Sequence, residues 1–590
     1  MVWATTGTHQ LLAGLTSTLY RTVIIIMGNE TGKPVPQTNL EPVTYFAINI
    51  KQPDKLHIVP ADGNNSALVT KIMETHHSVQ DHGFTSRQTY TITLSGHPFS
   101  STSLGDSEAS SLSMRSAWCR LLAELNGCGW EVVTSSDLAQ KRSNSTIFFR
   151  KMVGQLAAEQ NYRPFTCIAP SSWDKLIFIN LPKTLESRVT MLVETGWGVQ
   201  DTKILERTPH GCSFRMKMTG SPWSGETGAA GVQLRQLLLD LVKLLQTQNF
   251  KFVANINFKG TSDCFFFEPK NCPFGLPTPE LMFAISLNRT DRLRVIGAPS
   301  DVLHLVAAVI QQEWARGIQQ VKAYHGSQEY KLSGTPWWSE ADQAVDSRRL
   351  IGSIIACLKF SGWDISATME ISRQLDDKTL FLFKQARTAA RPQRQGAVCQ
   401  MVDWVCLSFH ETDKIRLCSG PGKETPSQEI LRERIRVSLE SMGEGVIQRE
   451  RNYHSALEWK LSGTPFSGTY GTGGQQRSMI SFLCRIIKDF NSAGWRLVCS
   501  ADISAKYHTT KHERYPLDVH SWFFILEPTD RLHLAALNPP SQFHRDRLTK
   551  YLSTSRGDLA DTASIGSYGQ FDLPPAYHQV VDNEEEEEEE

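Results

Sequence analysis

Apolar and smaller or polar positions alternate at Phe46, Ile48 and Ile50, cross a short polar joint, and resume at Leu56 and Ile58. The same order returns at Phe165 to Ile168 before Asp174 to Phe178, at Phe283 to Leu287 before Asp291 to Val295, and at Val405 to Phe409 before Asp413 to Leu417. Each run predicts a β-hairpin with one buried face, the aspartate before the second strand suiting its turn. A helix follows, clearest at Val302, Leu305, Val306, Val309 and Ile310, whose i, i+3, i+4, i+7 spacing makes one apolar face. A third strand at Tyr330-Lys331-Leu332 then runs into Ser333-Gly334-Thr335-Pro336-Trp337. Glycine there permits a positive φ and proline suits a first helical turn. A second helix buries Leu350, Ile351, Ile354, Ile355 and Leu358 and stops at Gly362-Trp363, where glycine can take the left-handed cap. Two last strands, 364–371 and 379–383, complete a ββαβαββ unit. The expected fold is α+β: a mostly antiparallel sheet of about five strands with two helices on one face.

The turn glycine recurs at Gly96, Gly220, Gly334 and Gly463, so the unit is present in four copies. Their separation far exceeds the roughly 20–50-residue period of solenoids and propellers, which makes them tandem domains. The expected division is a leader at 1–42, modules at 43–151, 164–269, 281–385 and 400–537, and a tail at 538–590. A chain of 590 residues has room for this many domains of ordinary size. Asp530 to Leu534 repeats the hairpin's second strand and is expected to pair with Trp522 to Leu526 as an extra edge.

Composition narrows the function classes. Sixty-one basic residues balance 61 acidic ones, which leaves no basic footprint for a nucleic-acid partner. The 12 cysteines show no CxxC and no spacing common to all copies, so disulfide-stapled modules are excluded and a reducing, cytoplasmic setting is expected. Residues 11–27 are apolar on average but contain Arg21 and lack a basic start, a poor match to a signal peptide or a membrane span. Met27 is a second candidate start that would expose Gly28 as a myristoylation signal does, yet Gly32 stands where Ser or Thr belongs. Peripheral membrane association is left open on that basis.

Candidate chemistry is sparse. The residue after the SGxP turn is aromatic in every copy: Phe99, Trp223, Trp337 and Phe466. These rings could form a recognition surface, but repetition in all copies favours a structural turn that covers the end of each core. Seven residues past Trp130, Phe250, Trp363 and Trp495 stand Asp137, Asn257, Glu370 and Asp502, a position that invites acid/base or metal chemistry. The amide in one copy, and the lack of a histidine or second carboxylate repeated beside the set, point instead to a turn-organising role. No GxSxG, HExxH, P-loop or strand-bound GxGxxG is present; Gly471 to Gly474 lacks the Lys-Ser/Thr pair. His76-His77 and His508 with His512 have no paired ligand spacing, so no metal and no cofactor are expected.

The most specific signal lies in the tail. Leu573-Pro574-Pro575-Ala576-Tyr577 is a PPxY sequence and resembles the ligands of WW domains, in which two prolines preorganise a polyproline II turn and the tyrosine fills a pocket. That resemblance implies a WW-domain partner, such as a HECT-type ubiquitin ligase, bound through Pro574, Pro575 and Tyr577. The run Glu584 to Glu590 is a solubilising charge block. The leading expectation is a non-enzymatic scaffold or adaptor whose modules hold an unknown protein or lipid. The alternatives are a lipid or small-ligand binding protein and, behind it, a hydrolase with one active module. For the last, the longer loops of the fourth module at 467–476 and 507–520 are the place to look.

Overall fold

The computed structural model describes residues 44–527 apart from 101–107, 142–143, 153–163, 210, 226–227, 259–262, 271–280, 373–377, 387–400, 421–424, 469–472, 505 and 510–513. The leader, the tail with its PPxY sequence, and the expected strand at Asp530 to Leu534 lie outside the described residues.

Module 3 shows how the pattern folds. Its six strands lie in the order Ile318–Tyr324, Ser327–Leu332, Arg292–Ile296, Met282–Asn288, Leu380–Gln385 and Trp363–Met369, with every neighbouring pair antiparallel. The other three modules repeat this order. On one face lie Phe283, Ile285, Leu287, Val295 and Phe383, packed under Val306 and Ile310 of the first helix, Ser300–Glu313, and Ile351 and Ile354 of the second, Ala341–Phe360. The α+β class and its fourfold repetition therefore stand, with one strand more per sheet than the pattern predicts.

That additional strand is the outer edge of each module: Val79–Ser86, Val199–Arg207, Ile318–Tyr324 and Ile447–Tyr453. Neither of its faces is well covered, so its residues are mostly exposed and no hydrophobic alternation marks it.

The hairpin strands depart from expectation in another way, because both of their faces are buried. The second face carries small or polar residues, Ala284 and Ser286 in module 3 and Cys406, Ser408 and His410 in module 4, all nearly inaccessible. What covers it is the neighbouring module. The second helix of module 1 (Glu108–Gly127) packs on the sheet of module 2, that of module 2 (Ala229–Thr247) on module 3, and that of module 3 on module 4. The second helix of module 4, Gly473–Ser492, packs on the first strands of module 1, Tyr45–Lys51 and Lys55–Val59. The modules thus form a closed ring. Each of its four apolar cores joins the inner side of one module to the back of the next, as Ala47, Val59 and Phe148 of module 1 join the core of module 4. Closure is reinforced by hydrogen bonds from the Gln140 and Lys141 backbone N–H groups to the carbonyls of Phe466 and Ser467, at 2.8 and 3.2 Å.

Candidate functional site

The edge strand opposite the outer one in each sheet lies on the inside of the ring. The strands Trp130–Asp137, Phe250–Asn257, Trp363–Met369 and Trp495–Ala501 contact one another in cyclic order and surround the axis of the ring. All four carry a bulge at the same place, between Val132 and Thr134, Phe252 and Ala254, Ile365 and Ala367, and Leu497 and Cys499. A bulge adds one residue, bends the strand and redirects its side chains, so four copies of it shape a common axial channel. At one end Glu131, Lys251, Asp364 and Arg496 occupy equivalent positions with alternating sign, and Lys251 Nζ lies 3.7 Å from Glu131 Oε1. Behind this mouth is a cavity of about 190 Å³ lined by all four strands, with Val133, Val253 and Val498 beside the polar Ser135, Asn255 and Thr368.

The other end gathers the four residues that the repeat spacing picks out. Three of the axial residues have their backbone N–H held by a side chain of the preceding module. Asn257 donates to Ser145 Oγ at 2.8 Å, Asp502 to Thr379 Oγ1 at 2.8 Å, and Asp137 to His520 Nδ1 at 3.4 Å. Asp137 further accepts from Ser145 Oγ at 3.0 Å and from Asn257 Nδ2 at 3.3 Å. The turn-organising role expected of the set is visible at Asp502, whose Oδ1 accepts from the Ser504 N–H at 3.1 Å.

A histidine does join them. His520 immediately precedes the last strand of module 4 and meets Glu370 of module 3, Nε2 to Oε1, at 2.7 Å. Burial opposes its charge, but the carboxylates of Glu370, Asp137 and Asp502 prevail and raise the imidazole to about 9. Burial and the Glu370 charge push Asp502 up to about 7. Asp137, Glu370 and His520 are buried, and one donor atom from each lies within 4.8 Å of the others, the one such grouping of three among the described residues. A repeat comparison misses His520 because Ser145 and Thr379 act in its place elsewhere, and its partners are far away in the chain.

The aromatic turn residues do not reach the axis. Phe99, Trp223, Trp337 and Phe466 are buried at the ends of their own cores. Trp223 and Trp337 donate their indole N–H groups to the carbonyls of Lys175 and Arg292, each at 2.9 Å. The turn glycines Gly96, Gly220, Gly334 and Gly463 all have positive φ, between 68° and 82°. Of the histidine candidates, His76 pairs with Glu124 at 2.6 Å, and His512 lies outside the described residues.

Module 4 holds a Ser-His-Asp line in which the 507–520 loop takes part. Ser408 Oγ is 2.8 Å from His410 Nε2, and His410 Nδ1 is 3.1 Å from Asp518 Oδ1. Such a line serves acyl transfer when the hydroxyl faces a substrate and an oxyanion site. Here Ser408 is only 2% exposed, beneath the second helix of module 3. Arg348 of that helix binds the other oxygen of Asp518 at 2.8 Å. The arrangement holds two modules together and leaves no room for a substrate at the hydroxyl.

One domain-family model, for which no activity is stated, matches residues 44–150, 164–268, 281–384 and 403–525. Neither a curated protein nor a solved structure matches the chain.

Proposed function

The chain belongs to this domain family, present here four times over, and on that premise we propose a non-enzymatic scaffold or adaptor. The observation that carries the proposal is the division of surfaces within each module. The second helix and the back of the sheet are consumed in closing the ring, while the outer hairpin is left at the rim. The rim strands have one unpaired edge and expose apolar residues, Phe84 at 49%, Ile204 at 39% and Val321 at 52%. Unpaired edges bearing apolar side chains are ready templates for an extended segment of another protein. The ring makes that offer in modules 1, 2 and 3, while the rim strand of module 4 exposes Gln448, Arg449 and Asn452 instead.

In this reading the tail supplies the second contact. Pro574, Pro575 and Tyr577 recruit a WW-domain protein, such as a HECT-type ubiquitin ligase, to whatever the rim holds. None of the ten described cysteines is joined in a disulfide, which favours a reducing, cytoplasmic setting. The test is a titration of a peptide covering residues 565–583 against isolated WW domains. Micromolar binding that disappears with Tyr577→Ala supports the adaptor, and flat titrations across the panel refute the tail's role.

The axial cavity favours a second reading, a small-ligand binding protein. At about 190 Å³, with Glu131, Lys251 and Asn255 in its lining, it suits a small polar molecule better than a lipid chain.

A further inference from the structure

We propose that the far end of the ring axis is a binding site for one divalent first-row metal ion, ligated by His520, Glu370 and Asp137. The three ligands come from modules 4, 3 and 1, and their donor atoms lie within 4.8 Å of one another, near enough for small side-chain movements to bring all three onto one ion. One imidazole nitrogen with carboxylate oxygens is a donor set for zinc, manganese or iron(II); calcium and magnesium prefer oxygen alone. Three protein ligands leave a position for water, and Asp502, one residue past the fourth axial strand, is close enough for its charge to act on Glu370 and His520.

The surroundings are those that orient metal ligands. Asp137 is aimed by Ser145 and Asn257. The second nitrogen of His520, Nδ1, is 3.2 Å from Ser500 Oγ, which donates onward to Ser136 Oγ at 3.0 Å. Ser136 also accepts the indole N–H of Trp522 at 3.0 Å, so the relay that would steady a ligated imidazole ends in the core. Nδ1 faces both Ser500 Oγ at 3.2 Å and the Asp137 N–H at 3.4 Å. Metal binding selects the tautomer in which Nδ1–H donates to Ser500 and the longer Asp137 contact is given up, which leaves the Nε2 lone pair for the metal. The ion then takes the place of the proton between His520 and Glu370, and that proton passes to solvent. A plain His-Glu ion pair requires two groups. The third carboxylate, carried in from a different module and fixed by its own hydrogen bonds, is what that simpler arrangement leaves unaccounted for. A bound ion would staple modules 1, 3 and 4 at the axis, independently of any role of the tail.

The experiment uses the full chain, dialysed against chelator and then titrated calorimetrically with Zn²⁺ and Mn²⁺, with Mg²⁺ and Ca²⁺ for contrast. Metal content is measured by mass spectrometry and thermal unfolding is followed in parallel. One equivalent of Zn²⁺ or Mn²⁺ per chain is expected, with a raised Tm and little response to Mg²⁺ or Ca²⁺. Glu370→Gln preserves shape and hydrogen bonding while removing the charge; it and His520→Ala should each weaken binding by at least about tenfold. The d–d spectrum of the Co²⁺-substituted wild type should carry the mark of nitrogen ligation and lose it in His520→Ala. A folded wild type that takes up neither Zn²⁺ nor Mn²⁺ overturns the proposal. So does binding that Glu370→Gln and His520→Ala leave undiminished, since it would place the ion elsewhere.

Discussion

His57 and His410 sit on the backs of their sheets, where ring closure removes them from water. Burial, aided by the nearby Arg477, Lys51 and Lys55, pushes His57 down to about 3. Burial also brings His410 down to about 4 against the opposing pull of Asp518. The unfolded chain binds protons at both sites from about pH 6.5 downward, while the folded protein does not, so these two sites make stability rise with pH across that interval; Asp502, pushed up to about 7 in the folded protein, acts in the opposite direction. Their contribution is whole above pH 6.5 and shrinks as pH falls. The fall that these two sites impose on the urea midpoint of the metal-free protein belongs between about pH 6.5 and 5, where Asp502 opposes it and ordinary carboxylates do not yet titrate. His57→Gln should make that slope shallower by the uptake of about one proton. A slope in His57→Gln identical to that of the wild type would contradict the burial assigned to this ring. At this scale the sequence was readable where a residue's role is local. The positive φ of Gly334 and Gly362 follows from their places in the pattern, and Asn249 takes the same left-handed cap in module 2. His410 was not readable. Nothing in its own strand announces Asp518, or Arg348 from a different module.

Among the elements, the second helix has the most demanding place, because it must fit its own sheet and its neighbour's together. In module 3 the fit depends on Gly352. A methyl group there would run into the indole ring of Trp404, the first residue of module 4's opening strand. Elsewhere the balance is struck differently: Cys484 is the equivalent residue in module 4 and touches the Val59 carbonyl at 3.6 Å. Alanine is normally the better helix former, so Gly352→Ala in an unconstrained helix would stabilise. Overpacking against Trp404 should reverse the sign and cost about 1–3 kcal/mol. Gly127→Ala, at a helix end where an added methyl meets nothing, should be neutral or favourable. Equilibrium urea unfolding of both variants checks this, and a stabilised Gly352→Ala would mean that the helix does not meet the neighbouring strand. The helices and central strands were legible because each has an apolar face of the right period. The outer strands were not, since an edge open to water on both sides carries no such period. The polar backs of the hairpins suggested solvent when they are interfaces whose polar groups are paired, Arg416 with Glu458 at 2.8 Å for instance.

The whole molecule is where the sequence is least informative. Its repeats announce four domains, and four domains on linkers could equally behave as beads. What makes them a ring is a set of contacts between residues hundreds of positions apart, and no local pattern encodes such a distance. The axial residues illustrate this. Their equivalence could be seen in the repeats, and their convergence could not, because it requires that module 4 return to module 1. Gly468 of module 4 lies against the Lys141 carbonyl with no space for a side chain, and Phe148 stacks edge-on against Trp522 at 5.1 Å across the same seam. Lys141 Nζ rests 4.2 Å from the Tyr515 ring, and the same loop returns to Lys506, whose carbonyl accepts from the Leu517 N–H at 2.9 Å. Lys141 thus lies against the loop of the last module, while Lys506 Nζ at the start of that loop pairs with Glu340 of module 3 at 2.5 Å. Lysine cross-linking of the monomeric full chain, read by mass spectrometry, is the most direct measurement of closure. A closed ring predicts a Lys141–Lys506 link within a single chain. Module 1 lysines that link only within module 1 and to module 2, with none to module 4, would show an open string of domains and contradict the ring.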